Sequence, residues 1–350
     1  MFFEKKCIQR LNDLTVEMIQ AYFNDYGLCR MNDGIISRTE QTVKLHFLYV
    51  NSFIEALAIN KLISIKVKNL SIIKESYNVK TGEIINKKVP AFDIIFDDYN
   101  NKKQIRDIPN NVFPILLTII INEYPRILGA VALQCFAGLR PSEALNVRRE
   151  DSKLGPGIIF TKINNKIINV EIDLNHQYIL RSDGVYTGGI KRKRTVKVNA
   201  KFLEPFINCY NVYMQYLRGK KYEEQYGPFS INRDGLALPY KGYYNTMNKV
   251  VNKLCKKLLK SNDPELIAYA QLIQENGLNP HAFRHWFSAN LTLMGASAEE
   301  LKYYRGDKNI NSSQIYIENK GDLEKVYRRT AQEVFDFSMW KAAKLYDCNK

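Results

Sequence analysis

Four widely separated residues carry side chains that can act together on a phosphate ester. Arg140 lies in AGLRPSEAL, His281 and Arg284 lie in HAFRHW, and Tyr316 lies in NSSQIYIENK. Guanidinium groups bind phosphate oxygens in pairs, and a histidine transfers protons near neutral pH. A tyrosine hydroxyl attacks phosphorus once a base and nearby positive charge favour its ionisation. These residue types predict phosphoryl transfer through a covalent tyrosine intermediate.

The surroundings of Arg140 suit a residue that faces a ligand. Gly138 allows the preceding apolar helix to end or bend close to a bound group, and Glu143 follows three residues after the arginine. Pro141 has the position of a first helical residue. If this segment is helical, the Glu143 carboxylate lies within reach of the guanidinium and braces it.

HAFRHW is the more specific motif. His281 and Arg284 are three residues apart and share one face of a helix, and Pro280 places them near its start, where backbone N–H groups favour anions. His281 and His285 also have the i, i+4 spacing of a metal site, but Ala282 stands where an HExxH motif has glutamate. We therefore predict no metal here and interpret His285 as a buried, hydrogen-bonding side chain.

The charge of the chain favours a polyanionic partner. Lys and Arg number 51 against 36 Asp and Glu, which gives a formal net charge of +15. Residues 186–260 alone contain 16 basic and four acidic residues, interleaved with tyrosines. Neutralising phosphates releases counterions and drives binding to nucleic acid. The sequence shows no basic amphipathic helix or lipidation signal, so a membrane surface is not the predicted partner.

The cysteines and the apolar segments indicate a reduced compartment. The six cysteines are dispersed and form neither a CxxC pair nor a Cys/His cluster with zinc spacing. The N-terminus MFFEKKCIQR carries charge where a secretory signal has its apolar region. The longest apolar run, residues 112–121, is too short to span a bilayer and predicts a buried helix. We expect a cytoplasmic protein.

Two segments of different character divide the chain. The first hundred residues are predicted to be helical: Ser37 and Glu40 have capping-box spacing, and apolar residues then recur at steps of three and four through Leu57. Residues 66–105 are polar and irregular, which predicts peripheral strands or loops and a linker at DDYNNKKQ.

The second segment alternates between helical and β-rich patterns. Helices are predicted from residue 108 to about 145 and again from 199 onward. Between them, GIIFTKI and KIINVEI flank Asn164-Asn165, a good hairpin turn. HQYIL and RTVKV predict further strands. The final 30 residues predict one or two amphipathic helices.

The motifs together resemble those of a known family. GLRPSEAL, HAFRHWFSANLTLMG and YRGDKNINSSQIY, in this order, are similar to the signature boxes of tyrosine recombinases, the phage integrase family. The resemblance implies a mainly α fold with a small antiparallel β-sheet, arranged as a two-domain, C-shaped clamp around duplex DNA. Residues 1–103 would form a helical, SAM-like core-binding domain with a linker. Residues 104–350 would form the catalytic domain with a C-terminal docking tail.

The resemblance also implies a role for each of the four residues. Arg140 and Arg284 would bind the scissile phosphate and stabilise its pentavalent transition state. His281 would transfer a proton. Tyr316 would attack phosphorus and leave a 3′-phosphotyrosine and a free 5′-hydroxyl. One phosphodiester is exchanged for another, so the reaction requires neither ATP nor a metal.

The family's leaving-group acid is a lysine in a β-hairpin. TGGIKRKRTVKV resembles that hairpin, and Lys191 is the predicted acid, with Lys193 as the second choice. The hairpin around Asn164-Asn165 offers Lys162 and Lys166 as weaker alternatives. Any of these lysines can instead be an ordinary phosphate contact. Arg192, Lys193 and Arg194 are predicted to contact DNA.

Asp307 departs from the family pattern. The family has histidine or tryptophan after the glycine of RGDKN, where this sequence has aspartate. A carboxylate beside a phosphate is electrostatically unfavourable. It either orients His281 or Arg284, accepts a hydrogen bond, or marks reduced or specialised activity. We include Asp307 among the predicted site residues.

The leading hypothesis is a site-specific DNA recombinase of a mobile element, acting on duplex DNA with specific recombination sites. The resemblance further implies a homotetramer assembled on DNA, coupled by the C-terminal tail, in the nucleoid or in the host cell of the element. Two alternatives stay open: a type IB topoisomerase, and a non-catalytic DNA-binding protein on a degenerate recombinase scaffold. Asp307 is the best support for the latter.

Overall fold

A computed structural model of the chain describes residues 10–28, 38, 40–77, 84–95, 107–307 and 310–318. The chain divides into two compact units, residues 1–103 and 104–350. The described part is mainly helical, with two small antiparallel sheets. The predicted cap residue Ser37, the predicted linker DDYNNKKQ and the predicted tail helices lie outside the described residues.

The N-terminal unit pairs two helices with a two-stranded sheet. Its elements are α1 (Val16–Leu28), α2 (Glu40–Ile59), β1 (Ser71–Tyr77) and β2 (Ile84–Pro90). The predicted helical period of α2 is confirmed. Phe47 follows Val43 by four residues and Ile54 follows Phe47 by seven, and all three side chains are buried. Phe47 and Ile54 share one core cluster with Ile19 and Phe23 of α1.

The C-terminal unit contains the larger core. Its helices are α3 (Phe113–Glu123), α4 (Leu128–Ala137), α5 (Pro141–Ala144), α6 (Ala200–Leu217), α7 (Tyr240–Leu258), α8 (Pro264–Asn276), α9 (His281–Leu293), α10 (Ala298–Arg305) and α11 (Asn311–Glu318). Its strands are β3 (Ile158–Ile163), β4 (Lys166–Asp173) and β5 (Thr195–Lys197), in the order β3-β4-β5.

The predicted hairpin is present, and one predicted strand is wrong. Asn164 and Asn165 join β3 to β4 with φ of 50° and 62°, the left-handed values that a two-residue hairpin turn requires. HQYIL forms no strand. The backbone carbonyl of Tyr178 accepts a hydrogen bond from the Asn146 side chain at 2.9 Å, and the Gln177 side chain accepts one from the backbone N–H of Ile190 at 2.6 Å.

The core holds α9 rigidly against α4. Every residue of α4 is buried, and Ala282, Phe283, Trp286 and Phe287 of α9 are buried as well. The Trp286 ring stacks on Phe113 with centroids 4.0 Å apart. Interiors packed this densely resist displacement, so the polar residues of α9 have fixed positions.

The predicted buried helix at residues 112–121 is confirmed as α3, most of whose residues are buried. No single helix in the described ranges is both long and apolar enough to cross a membrane. The segments Phe113–Glu123 and Pro125–Ala137 meet that criterion only as a pair, and they are bent by 112° relative to each other.

Candidate active site

Arg140 stands immediately before α5 and is held by Glu143. Pro141 is the first residue of this helix, as the sequence predicts. Glu143 Oε2 accepts a hydrogen bond from the backbone N–H of Arg140 at 3.0 Å, and Oε1 accepts one from Nη1 at 3.0 Å. The Glu143 side chain is fully buried. The expected bracing contact therefore forms, and it leaves Nη2 to point elsewhere.

Two glycines allow the flanking helices to end at this site. Gly138 ends α4 with a φ of +67°, and a Cβ there would approach the Phe287 ring to 2.6 Å. Gly306 ends α10 with a φ of +61°, and a Cβ there would collide with the Arg194 guanidinium. Both positions require a residue without a side chain.

Arg284 projects from the first turn of α9 and is 4% exposed. Its Nη1 donates to the carbonyl of Gly138, and its Nη2 donates to the carbonyl of Arg305 and to Asp307 Oδ1, both at 2.9 Å. Burial, together with the nearby Arg305 and Arg140, lowers the pKa of Arg284 to about 9. The guanidinium is still protonated at neutral pH.

Asp307 joins three guanidinium groups. Its Oδ1 accepts from Arg140 Nη2 at 2.7 Å and from Arg284 Nη2 at 2.9 Å, while its Oδ2 accepts from Arg305 Nε at 2.7 Å. Burial opposes ionisation, but Arg284, Arg305 and Arg140 lower the pKa of Asp307 below its usual value. An ionised oxygen thus lies between the two arginines that the sequence assigns to a phosphate.

Arg194 braces the cluster from the other side. Its Nη1 and Nη2 donate to the two oxygens of Glu143, both at 3.1 Å. Its predicted DNA contact stays a prediction, because the structure places this guanidinium in a bidentate ion pair. The cluster has a net formal charge of +2. It contains two carboxylates, Glu143 and Asp307, and four guanidinium groups, those of Arg140, Arg194, Arg284 and Arg305. The centre is therefore suited to an anion.

Tyr316 lies on α11 beside this cluster and is 8% exposed. Its hydroxyl is hydrogen-bonded to Nδ1 of His285. The Arg305 guanidinium carbon lies 5.0 Å from the centroid of the Tyr316 ring. Burial raises the pKa of Tyr316, while Arg305 opposes that effect. A tyrosine and a group of arginines are thus brought together from distant parts of the sequence.

The two histidines of HAFRHW differ in their contacts. His285 forms a hydrogen bond, as predicted, but it is half-buried rather than buried, and its partner is the Tyr316 hydroxyl. His281 is the first residue of α9 and is half-buried. The Asn279 side chain accepts a hydrogen bond from its backbone N–H at 2.8 Å.

The predicted lysine hairpin forms only in part. Residues 174–194 connect β4 to β5, and Lys191, Arg192 and Lys193 are exposed at the end of this connection. Arg192 Nη1 donates to the backbone carbonyl of Asp307 at 3.0 Å, so this segment borders the arginine cluster. The alternatives Lys162 and Lys166 are exposed on β3 and β4.

An open pocket of about 420 Å³ adjoins this segment. Basic side chains predominate in its wall, which comprises Arg192, Lys193, Arg194, Thr195, Glu299, Lys302, Tyr303 and Gly306. Arg194 and Gly306 line both this pocket and the arginine cluster, so the two adjoin.

Sequence reasoning missed Arg305 and the partners of Arg194 and His285. Arg305 precedes Asp307 by two residues in YRGDKN, a basic–acidic spacing that was available as a signal. The other two pairs join residues 51 and 31 positions apart, and no local pattern identifies them.

Comparison of the sequence with protein-family models and with curated proteins gives no match. Among solved structures, the Tn1549 transposon integrase in complex with circular intermediate DNA is 15% identical, with a TM-score of 0.51 over 94% of this chain and 86% of that chain. The same integrase in complex with transposon right end DNA gives a TM-score of 0.54 at 15% identity, over 90% of this chain and 85% of that chain. The chain therefore has the tyrosine-recombinase fold that its sequence motifs predict.

Proposed function

We propose that the protein is a site-specific DNA recombinase that cleaves and rejoins strands through a 3′-phosphotyrosine at Tyr316. The observation that carries this proposal is the shared oxygen of Asp307, which accepts hydrogen bonds from both Arg140 and Arg284. Two guanidinium groups that converge on one anionic oxygen have the geometry to bind one phosphate oxygen. The fold supports the assignment, since the Tn1549 integrase structures are complexes with DNA.

The scissile phosphate takes the place that the Asp307 carboxylate holds. Both are anions, and a phosphate oxygen at the point where Nη2 of Arg140 and Nη2 of Arg284 converge occupies the position of Asp307 Oδ1. Asp307 keeps its second oxygen on Arg305 Nε, so the carboxylate turns away without losing every partner. The surplus positive charge of the cluster then stabilises the dianionic, pentavalent transition state.

Tyr316 performs the attack. Its Oη forms the bond to phosphorus while the bond from phosphorus to the 5′ oxygen breaks, and a free 5′-hydroxyl leaves with a proton from Lys191. The phenolic proton passes to a histidine. The family resemblance assigns this role to His281, whereas the hydrogen bond to Tyr316 favours His285. Reversal of these steps on a new 5′-hydroxyl rejoins the strand.

The exposed basic surface positions the DNA. Arg192 and Lys193 line the positive pocket beside the cluster, where they contact the backbone of the duplex. Residues 1–103 form the second DNA-binding domain, and four protomers assemble on two recombination sites. The N-terminal boundary and the tetramer rest on the resemblance of the sequence to the family.

A nicked suicide substrate tests the proposal. The protein is incubated with nicked duplexes made from the DNA that flanks its gene, and covalent adducts are resolved by denaturing electrophoresis. Tyr316→Phe abolishes the adduct while duplex binding survives, and Tyr124→Phe, a half-buried tyrosine at the end of α3, retains it. His285→Ala and His281→Ala show which histidine accepts the proton. Adduct formation at the normal yield by Tyr316→Phe contradicts the assignment.

One observation favours a second candidate, a DNA-binding protein that does not cleave. Asp307 fills the space between Arg140 and Arg284, and a carboxylate that never leaves would exclude the phosphate. The same substrate distinguishes the two functions. Duplex binding with no adduct from the wild-type protein, on any flanking sequence, supports the second candidate.

A further inference from the structure

We infer that Arg305 is a further residue of the reaction centre, where its guanidinium stabilises the ionised form of Tyr316 and Asp307 holds that guanidinium in place. The inference deepens the proposed function and rests on Tyr316 being the nucleophile. The sequence motifs give Arg305 no role, and its contacts alone carry the argument.

Hydrogen bonds to two side chains fix the position of the Arg305 guanidinium. It is the last residue of α10 and is 8% exposed. Its Nε donates to Asp307 Oδ2 at 2.7 Å, and its Nη1 donates to the hydroxyl of Ser288 at 2.6 Å. Ser288 is fully buried on α9 and donates its own proton to the carbonyl of Arg284. The guanidinium is therefore held between α9 and α10 with little freedom.

The guanidinium of Arg305 also lies over the ring of Tyr316. Its carbon lies 5.0 Å from the centre of the phenol ring, within the range of a cation–π contact. The positive charge of Arg305 beside the phenol favours ionisation of Tyr316 and opposes the effect of burial. Arg305 thus contacts the group that attacks phosphorus.

The charge state of Arg305 is suited to this task. Burial disfavours its charged form, but Tyr316 and Asp307 raise its pKa above the ordinary value. A buried tyrosine loses its proton reluctantly, because a phenolate in a low-dielectric site lacks solvation. A permanent positive charge beside the ring offsets that penalty. The proton still leaves through the histidine, and Arg305 stabilises the oxyanion that results.

Asp307 has a second use in this arrangement. When a phosphate displaces Oδ1 from Arg140 and Arg284, Oδ2 still accepts from Arg305. The carboxylate then serves Arg305 alone and keeps its guanidinium against the tyrosine. The arginine two residues before Asp307 thereby compensates for the negative charge that Asp307 brings to the site.

A direct titration of Tyr316 tests the inference without any need for DNA cleavage. 3-Fluorotyrosine is placed only at position 316 of the full chain, and its fluorine resonance is followed by NMR as the pH is raised. In Arg305→Leu we expect the titration midpoint to rise by at least one pH unit, a tenfold change in the acid dissociation constant. Arg305→Lys, which keeps the charge, gives a smaller rise. Fluorotyrosine at Tyr222, whose charged neighbours are Arg149 and Asp151, keeps its midpoint.

A second variant covers the case in which Arg305→Leu does not fold. Arg305→Gln is the milder change, because it removes the positive charge but keeps a side-chain N–H that can donate to Asp307. The midpoint of position 316 must rise in this protein as well. An unchanged midpoint in either folded variant overturns the inference and shows that Arg305 serves packing alone.

The pH profile of adduct formation separates this inference from the proposed function. If Tyr316 is the nucleophile, loss of Arg305 shifts the alkaline rise of the adduct rate to higher pH. Absence of an adduct from wild-type protein refutes the proposed function, while the fluorine titration still reports on the contact. An adduct with an unshifted profile in Arg305→Leu refutes the role of Arg305 and leaves the proposed function standing.

Discussion

Replacement of Asp307 by asparagine should make the arginine cluster a better anion site. The substitution preserves size and one acceptor oxygen but removes the negative charge that lies between Arg140 and Arg284. An incoming phosphate oxygen then competes with a neutral amide. We expect Asp307→Asn to bind inorganic phosphate more tightly than the wild-type protein does.

The magnitude follows from the contacts that the phosphate must replace. Each of the two charge-assisted hydrogen bonds to Oδ1, at 2.7 and 2.9 Å, is worth roughly 1.5–3 kcal/mol. The phosphate forms equivalent bonds, and the displaced carboxylate keeps its bond to Arg305. Only part of this energy therefore opposes binding in the wild type. We expect an improvement of about 1–2 kcal/mol, or roughly 5- to 30-fold in Kd.

Isothermal titration calorimetry with inorganic phosphate at fixed ionic strength measures the effect. Asp151→Asn is the matched control, because it makes the same change of charge at an ion pair with Arg149, and Asp151 is half-exposed. Thermal melts with and without phosphate give a second measure, since a ligand that binds the folded state stabilises it. Equal phosphate affinity in the two variants, or weaker affinity in Asp307→Asn, refutes the idea that Asp307 occupies the phosphate site.

Three further outcomes concern stability. Glu143→Gln should lower the free energy of unfolding by about 3–5 kcal/mol, because it leaves buried arginines without their counter-ion; denaturant titration checks this, and a loss below about 1 kcal/mol contradicts it. The pKa values of Glu143 and Asp307 are lowered in the folded protein. The stability that these carboxylates contribute is therefore complete above their unfolded-state pKa values near 4 and is lost as the pH falls through their folded-state pKa values. In acid, the free energy of unfolding of Glu143→Gln should thus depend less steeply on pH than that of the wild-type protein. Gly306→Ala should cost more than about 1 kcal/mol in thermal melts, since its Cβ meets Arg194 at a φ of +61°, whereas Gly242→Ala, within α7 and with no atom closer than 3.5 Å to the added Cβ, should not lower the melting temperature.

The local parts of the fold were predictable from the sequence. The period of α2 and the Asn164-Asn165 turn depend on residues within a few positions of each other. The Arg140–Glu143 contact is equally local, since the two residues lie on one helical turn. HQYIL was predicted wrongly because its apolar residues Tyr178, Ile179 and Leu180 suit a strand, while its backbone pairs with the side chain of Asn146, 32 residues away.

The partners within the candidate site were not predictable in the same way. Arg194 lies in the basic run KRKR, which predicts a DNA contact. In the fold its guanidinium instead donates two hydrogen bonds to Glu143. His285 and Tyr316 meet only because α9 and α11 pack together. Such pairs depend on how helix ends converge in space, and residue spacing along the chain carries no information about that.

Mass spectrometry of the covalent adduct identifies the residue that attacks phosphorus. The protein is trapped on a nicked substrate from the DNA that flanks its gene, digested with nuclease and protease, and searched for a peptide that carries a nucleotide. We expect one modified residue, Tyr316, linked to the nucleotide through its 3′-phosphate. A nucleotide on any other tyrosine, or a 5′ linkage, contradicts it.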